Sequence, residues 1–442
     1  MDNPCHSLAL AFARNAKAAF PSVIAVPLAL ALLLSACGGA GTGSPTPEGS
    51  SGTPSLIPAT PVETAASPGP TPSPVASTSP TVPAIMHFSP GTTPEFRFIW
   101  MIDAASGWGI ARAAAPEDHV LRTSDGGRSW QDVTPPEPPV LPSAQSTDAV
   151  GTFPDSRVGW VAYVVSPVQP APLEIHFWRT SNGGQEWESG GRVDLGDFPE
   201  AAPIIAFGDM DVGWLLVEQF VGMGHHAFTL LRTQDGGRSW EPLAGPPSSE
   251  STCHRTGIAF SGSLTGWMTG ECPFEVGGGA LLVVTHDGGV TWQPLEVPPP
   301  SAAPDLFGSA LPCGARSPRL FAPESGSLVV TCTLDSAGGP QEQSYLYATT
   351  DGGVTWQTSA FPGGDLYLLD PNRGWALSTD IYWTEDGGGT WIKIKTVDWE
   401  GQFSFVEEMV GWAVARSVDE SALVRTLDGG RTWELLEPIA SP

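Results

Sequence analysis

Seven times along this chain of 442 residues the pattern Thr-x-Asp-Gly-Gly-x-x-Trp returns, once with Asn for Asp, and no other feature constrains its fold so tightly. The boxes carry Asp125, Asn182, Asp235, Asp287, Asp351, Asp386 and Asp428, followed by Trp130, Trp187, Trp240, Trp292, Trp356, Trp391 and Trp433. Successive box tryptophans lie 35 to 64 residues apart, a period that signals repeated supersecondary units. Asp-Gly-Gly between apolar runs is a tight-turn signal, because glycine accepts positive φ and a short carboxylate takes backbone N–H groups within the turn. The indole that follows is a large apolar anchor, so each box predicts a turn lock plus a wedge.

A second signature, Gly-Trp, precedes the boxes at Trp108, Trp160, Trp214, Trp267, Trp375 and Trp412, with Gly326 and Ser327 in the equivalent place of the fifth unit. Together the two signatures use thirteen of the seventeen tryptophans, so the aromatics serve the repetition first. Each unit also shows four short apolar runs; in the third they are 203–207, 212–217, 228–233 and 239–243. Four strands in each of seven units predict an all-β fold over 95–442, a seven-bladed β-propeller of four-stranded blades in which radial repetition hides the sheet edges. Every blade is complete within its own repeat, so no strand exchange is needed to close the ring, although residues 85–88 could add an outer strand.

Residues 1–36 place Arg14 and Lys17 ahead of an apolar run over 23–34, the layout of a secretory signal peptide. The run ends in Leu34-Ser35-Ala36-Cys37, which resembles the bacterial lipoprotein signal. That resemblance implies lipidation of Cys37 and an anchor on the extracytoplasmic face of the cell envelope membrane. No second apolar stretch of about 20 residues follows. From Cys37 to residue 94 the chain turns to Pro, Ser, Thr and Gly, with Glu48 and Glu63 its only charges, and such a segment is expected to be a disordered linker. Its 57 residues after the cysteine would reach about 40 Å if flexible. The formal charge of −27 with only three lysines argues against nucleic-acid partners.

The boxes resemble the Asp-box (BNR-type) repeats shared by bacterial sialidases, tandem-propeller xyloglucanases, sortilin-type receptors and the photosystem II assembly and stability factors. The lipoprotein start and the strand ending in Gly-Trp are most similar to the last group. This resemblance covers about 95–442; it implies a propeller, and it implies a structural rather than catalytic or metal-binding role for the box carboxylates. The photosystem factors are associated with an arginine-rich patch, whereas the arginines here are scattered.

With Cys5 in the signal and Cys37 lipidated, Cys253, Cys272, Cys313 and Cys332 remain. Both gaps are 19 residues, and Gly266 and Gly326 each lie 13 residues after the first cysteine, so the four occupy equivalent positions in neighbouring units. The expected pairs are Cys253 with Cys272 and Cys313 with Cys332. An exported location permits both bonds, and the absence of Cys-x-x-Cys spacing argues against a thiolate metal site. No cofactor is expected. The cysteines and the longest connections, 131–150, 246–254, 270–280, 297–316 and 333–343, are expected on one face, together with His225 and His226. That face is opposite the box turns.

Two functions compete at this stage. One is a lipid-anchored binding module or scaffold that captures a protein or glycan at its loop face and assists an envelope complex. The other is a sialidase-like glycoside hydrolase, whose resemblance implies that Arg97, Arg255 and Arg319 converge on a carboxylate beside Tyr367. Against it, the opening Arg-Ile-Pro signature of sialidases is replaced here by Phe96-Arg97-Phe98. Tandem-propeller xyloglucanases fit less well, since one ring fills this length.

Overall fold

The computed structural model describes residues 85–442 apart from 138–143, 168–172, 197–200, 223–224, 247–252, 273–278, 310–312, 337–338 and 418–419. The expected signal segment, Cys37 and the linker to residue 84 lie outside the described residues.

The strands fall into six sheets, five built on one four-stranded antiparallel meander each and a nine-stranded one that joins two such meanders. The order of strands within each unit follows the chain. The two signatures mark their boundaries: all seven third strands end on the box threonine, from Thr123 to Thr426, and second strands begin at Gly107, Gly159, Gly213, Gly374 and Gly411. First strands of neighbouring units lie side by side at the second-to-third, third-to-fourth, fourth-to-fifth, sixth-to-seventh and seventh-to-first junctions. They are therefore the innermost strands. In the fifth unit this strand is split into Cys313–Ala315 and Arg319–Ala322, both paired with Ser325–Ser336. The first piece also pairs with the fourth unit through Gly314 and Glu271, which fuses the two sheets.

In every unit the box threonine hydroxyl donates to the box Asp or Asn side chain and accepts the second glycine's N–H. The same side chain accepts the N–H four residues on; in the six Asp boxes it also accepts that residue's hydroxyl. The glycines are required twice over. Gly353 has φ of +90°, and a Cβ there would stand 2.3 Å from Leu295 of the preceding unit.

The wedge is the Gly-Trp indole rather than the box indole. Trp108, Trp214, Trp375 and Trp412 are fully buried, while five of the seven box tryptophans are only partly so. The Gly-Trp rings reach across junctions: Trp160 Nε1 donates to the Gly236 carbonyl, Trp214 to Gly288, Trp375 to Gly429 and Trp412 to Gly126. Each acceptor is the first box glycine of the next unit, and for Trp412 of the seventh unit that next unit is the first. Phenylalanines from the following unit stack on several of these indoles, as Phe207 does on Trp160 and Phe260 on Trp214.

Two expectations at the chain ends need correction. Residues 85–94 do not belong to a free linker: Ile85 is buried, Phe88 stacks on His119 at 3.9 Å, and the Phe88 N–H donates to Asp132. Nor do 85–88 form an outer strand. That place is taken by Ile439–Ser441, which pairs in parallel with Ser129–Asp132 of the first unit, while Gly91 donates to the Ala440 carbonyl. The chain end thus adds a fifth strand to a unit already complete in its own repeat.

Candidate functional site

The turn between the first two strands lies beside the box turn, since Gly126 N–H donates to Ala105. The other end of each unit therefore carries the starts of the innermost strands and the connections between units. Both disulfides sit there. Cys253 bonds Cys272 and Cys313 bonds Cys332, each joining the innermost strand's start to the strand beside it at Cα separations of 4.2 and 4.1 Å. Bonds of this kind belong to oxidising compartments, and they mark the chain as exported. Parts of the expected loops lie outside the described residues. His225 and His226 open the third strand of their unit, Phe220 facing His226.

At this end a charge cluster joins the first two units. Asp118, fully buried, receives Arg97 and Arg112, and Asp148 receives the same two guanidinia. Burial pushes the Asp118 carboxyl up despite the Ala149 N–H and the two arginines that oppose the shift. Deeper in the connection, the buried Glu137 accepts from His176 and Trp178, and His176 also meets Glu174 at 3.0 Å. Burial would lower the His176 pKa, yet the Glu137 and Glu174 carboxylates outweigh it and raise it. In the third unit burial pushes Glu218 up to about 7, against the Arg255 N–H and charge.

The four residues expected to converge are only partly brought together. Arg97 is held by Asp118 and Asp148. Arg255 is buried three units away, where its Nη1 donates to the Cys253 carbonyl and its guanidinium lies 4.7 Å from the Phe228 ring centre. Arg319 and Tyr367 do meet, with the guanidinium 5.8 Å from the ring centre, but the Tyr367 hydroxyl donates to the Phe405 carbonyl. The expected convergence of three arginines beside a tyrosine is thus not found: carboxylates hold Arg97 at the first-to-second junction, Arg255 is held on the Cys253 carbonyl and Phe228, and only Arg319 reaches Tyr367.

A different group was missed from the sequence. Asp365 opens the sixth unit's innermost strand; burial raises its pKa, Arg316 and Arg416 lower it, and Glu400 of the seventh unit raises it. Arg316 donates to the Gly364 carbonyl at 2.7 Å. Among the described residues no cluster of three His, Cys, Asp or Glu side chains is arranged to hold a metal ion.

No family model matches the chain. Among curated proteins it is similar to a xyloglucanase of Paenibacillus sp, 24% identical over 263 residues, which are 54% of this chain and 23% of that protein. It is also similar to a probable oligoxyloglucan-reducing end-specific xyloglucanase of Neosartorya fischeri, 25% identical over 255 residues, 50% of this chain and 30% of that protein. The chain spans less than a third of the length of these curated relatives. Among solved structures, the polysaccharide lyase Uly1 superposes with a TM-score of 0.51 at 9% identity, covering 80% of this chain and 94% of that one. YCF48 from Cyanidioschyzon merolae aligns at 14% identity over 78% of this chain and 98% of that one, with a TM-score of 0.43. The likeness is one of fold: this is an all-β protein of the β-propeller type.

Proposed function

We propose that the chain is an exported, lipid-anchored propeller of seven Asp-box blades that captures a glycan or protein partner at its disulfide-stapled face and supports an envelope complex. The observation that carries this reading is the pair of disulfides fixing the starts of neighbouring innermost strands on the end opposite the box turns. Binding residues gather on loops that a rigid scaffold positions, and stapling reduces the entropy such loops lose when a ligand binds. In this reading Cys37 supplies the membrane contact and 38–84 the reach.

Hydrolysis of a glycan is the second reading, favoured by the similarity to two xyloglucanases. It would fall to carboxyls of the innermost strands, with Asp365 as the acid because its pKa is raised, and Glu400 across the junction as its partner. One experiment addresses both. The full chain is incubated with immobilised xyloglucan oligosaccharides and with polymeric envelope glycans, scoring retention and the release of reducing ends. Retention without release, lost when the disulfides are reduced, supports capture. Release abolished by Asp365→Asn supports hydrolysis and overturns capture. Absence of both on every glycan removes the glycan arm of each reading.

A further inference from the structure

One junction lacks its wedge. In the fifth unit Ser327 replaces the Gly-Trp indole and faces Arg319 across the strand pair, where other units place Ala206 against Trp214 or Ala259 against Trp267. The stacking phenylalanine of the next unit is also gone. Where Phe207 and Phe260 face the glycine of Gly-Trp, the sixth unit has Leu368 facing Gly374. The arginine that covers the following unit's first box glycine at four junctions, as Arg179 covers Gly236 and Arg232 covers Gly288, is here Ala348, and Gly387 meets only the Pro371 carbonyl; the fourth and sixth units also lack that arginine, with Val284 and Trp383 in its place, but both keep the Gly-Trp indole.

The three losses coincide with a cleft of about 290 Å³ between the fifth and sixth units, lined by Arg316, Arg319, Ser327, Asp365, Leu366 and Leu368. The Ser327 hydroxyl is buried on its wall with no hydrogen-bond partner, at a residue only 4% exposed. A buried hydroxyl without a partner is costly, which marks a position that a ligand can satisfy. Among the described residues no acceptor pairs with the Arg319 guanidinium, which lies 5.6 Å and 5.8 Å from the ring centres of Phe321 and Tyr367 and remains open to solvent.

We propose that this wedge-free cleft is a binding site for one carboxylate-bearing sugar, a uronic acid unit of an acidic polysaccharide. Its planar guanidinium suits a carboxylate in bidentate contact. Ser327 and Asp365 are hydrogen-bonding partners for ring hydroxyls, and the leucine side chains receive the C–H face of the ring. Ligand sites begin at about 300 Å³, so the cleft takes a single sugar rather than a length of polymer. The proposal rests on the glycan reading for the class of ligand and on the missing tryptophan for its place.

The test is calorimetric titration of the full chain with digalacturonic acid and with the neutral digalactose of the same ring geometry. The acid binds, and the neutral sugar binds about tenfold more weakly or not at all. Arg319→Gln weakens the acid about tenfold. Ser327→Trp restores the wedge: it abolishes binding while raising the melting temperature, which shows that the variant is folded. The proposal is overturned if the two sugars bind alike, if neither binds, or if Ser327→Trp binds the acid as the parent does. Neutral-glycan retention that depends on the disulfides and ignores Ser327→Trp would leave the capture reading standing while sinking this one.

Discussion

At the residue scale the box aspartates act as acceptors whose charge the turn stabilises. Hydrogen bonds from Thr291 hold Asp287, and from Thr355 hold Asp351, at about 2. A carboxyl in the unfolded chain titrates near about 3.9, so as pH falls the unfolded state takes up protons first. The locks therefore contribute fully above pH of about 4 and lose that contribution as pH falls toward 2. Asp351→Asn should melt about 2 °C below the parent at pH 6, with the gap closing by pH 2, as read by circular dichroism. Glu218 titrates in the opposite sense. Its pKa is raised to about 7, so it favours the fold below the ordinary carboxyl range and that contribution disappears as pH rises through 7. Glu218→Gln should gain about 2 °C over the parent at pH 8 and nothing at pH 4.5. The two glycines of one box separate conformation from packing. Gly352 has φ of +73° with open space around it, so Gly352→Ala costs about 1 kcal/mol. Gly353→Ala adds a clash with Leu295, and urea titration should give a loss of about 3 kcal/mol. These positions were legible because glycine and aspartate have few alternative uses in a turn. The directions of Arg97 and Arg255 were not, since strand position does not reveal which carboxylate lies across a junction.

Between residue and ring stands the junction, an element made of one indole, the glycine carbonyl it reaches and the ring stacked on it. Trp214 combines a hydrogen bond to the Gly288 carbonyl at 2.8 Å with a parallel stack on Phe260 at 3.3 Å. Trp214→Phe keeps much of the apolar contact and strands the carbonyl, at a cost of about 1 to 3 kcal/mol; Trp214→Ala should cost about 3 to 5 kcal/mol. A result in which both variants lose equally would assign the whole effect to the hydrogen bond. The strands themselves could be read from the repeats: the third unit's runs over 203–207 and 228–233 fall within Ala201–Phe207 and His225–Thr233. The cysteine pairs were readable too, because equal spacing from the Gly-Trp position fixed both members of each pair opposite one another. What hid from the sequence was which tryptophan does the wedging. Box and Gly-Trp indoles look alike as letters, and only the direction of the second strand's side chains separates a ring aimed across a junction from one lying over its own turn.

For the whole molecule the informative point is the place where the first unit meets the seventh and the C-terminal strand. The seventh unit contacts the first through Trp412 on Gly126, through Gln402, whose side chain bonds Ile99, and through Ser404 on Met101. Ile439–Ser441 then crosses to the first unit's outer edge, and Ala440 N–H donates to Thr92 while its carbonyl accepts from Gly91. No repeat announces this strand, which is why four runs per unit left it unforeseen: three residues beside an already complete sheet carry no periodicity. Its position also ties residues 91 and 92 to the same edge. Removing residues 438–442 should therefore expose the Ser129–Asp132 edge and release Gly91 and Thr92, while the indole bond from Trp412 persists. Hydrogen exchange on the full chain and the truncated one is the measurement: the amides of Gly91, bonded to Ala440, and of Trp130, paired with Ala440, should exchange at least about tenfold faster in the truncated chain, with those of the third unit unchanged. Uniform acceleration around every unit would mean that the tail governs the cooperativity of the entire fold, and unchanged exchange at 91 and 130 would mean that the seventh unit alone secures the junction.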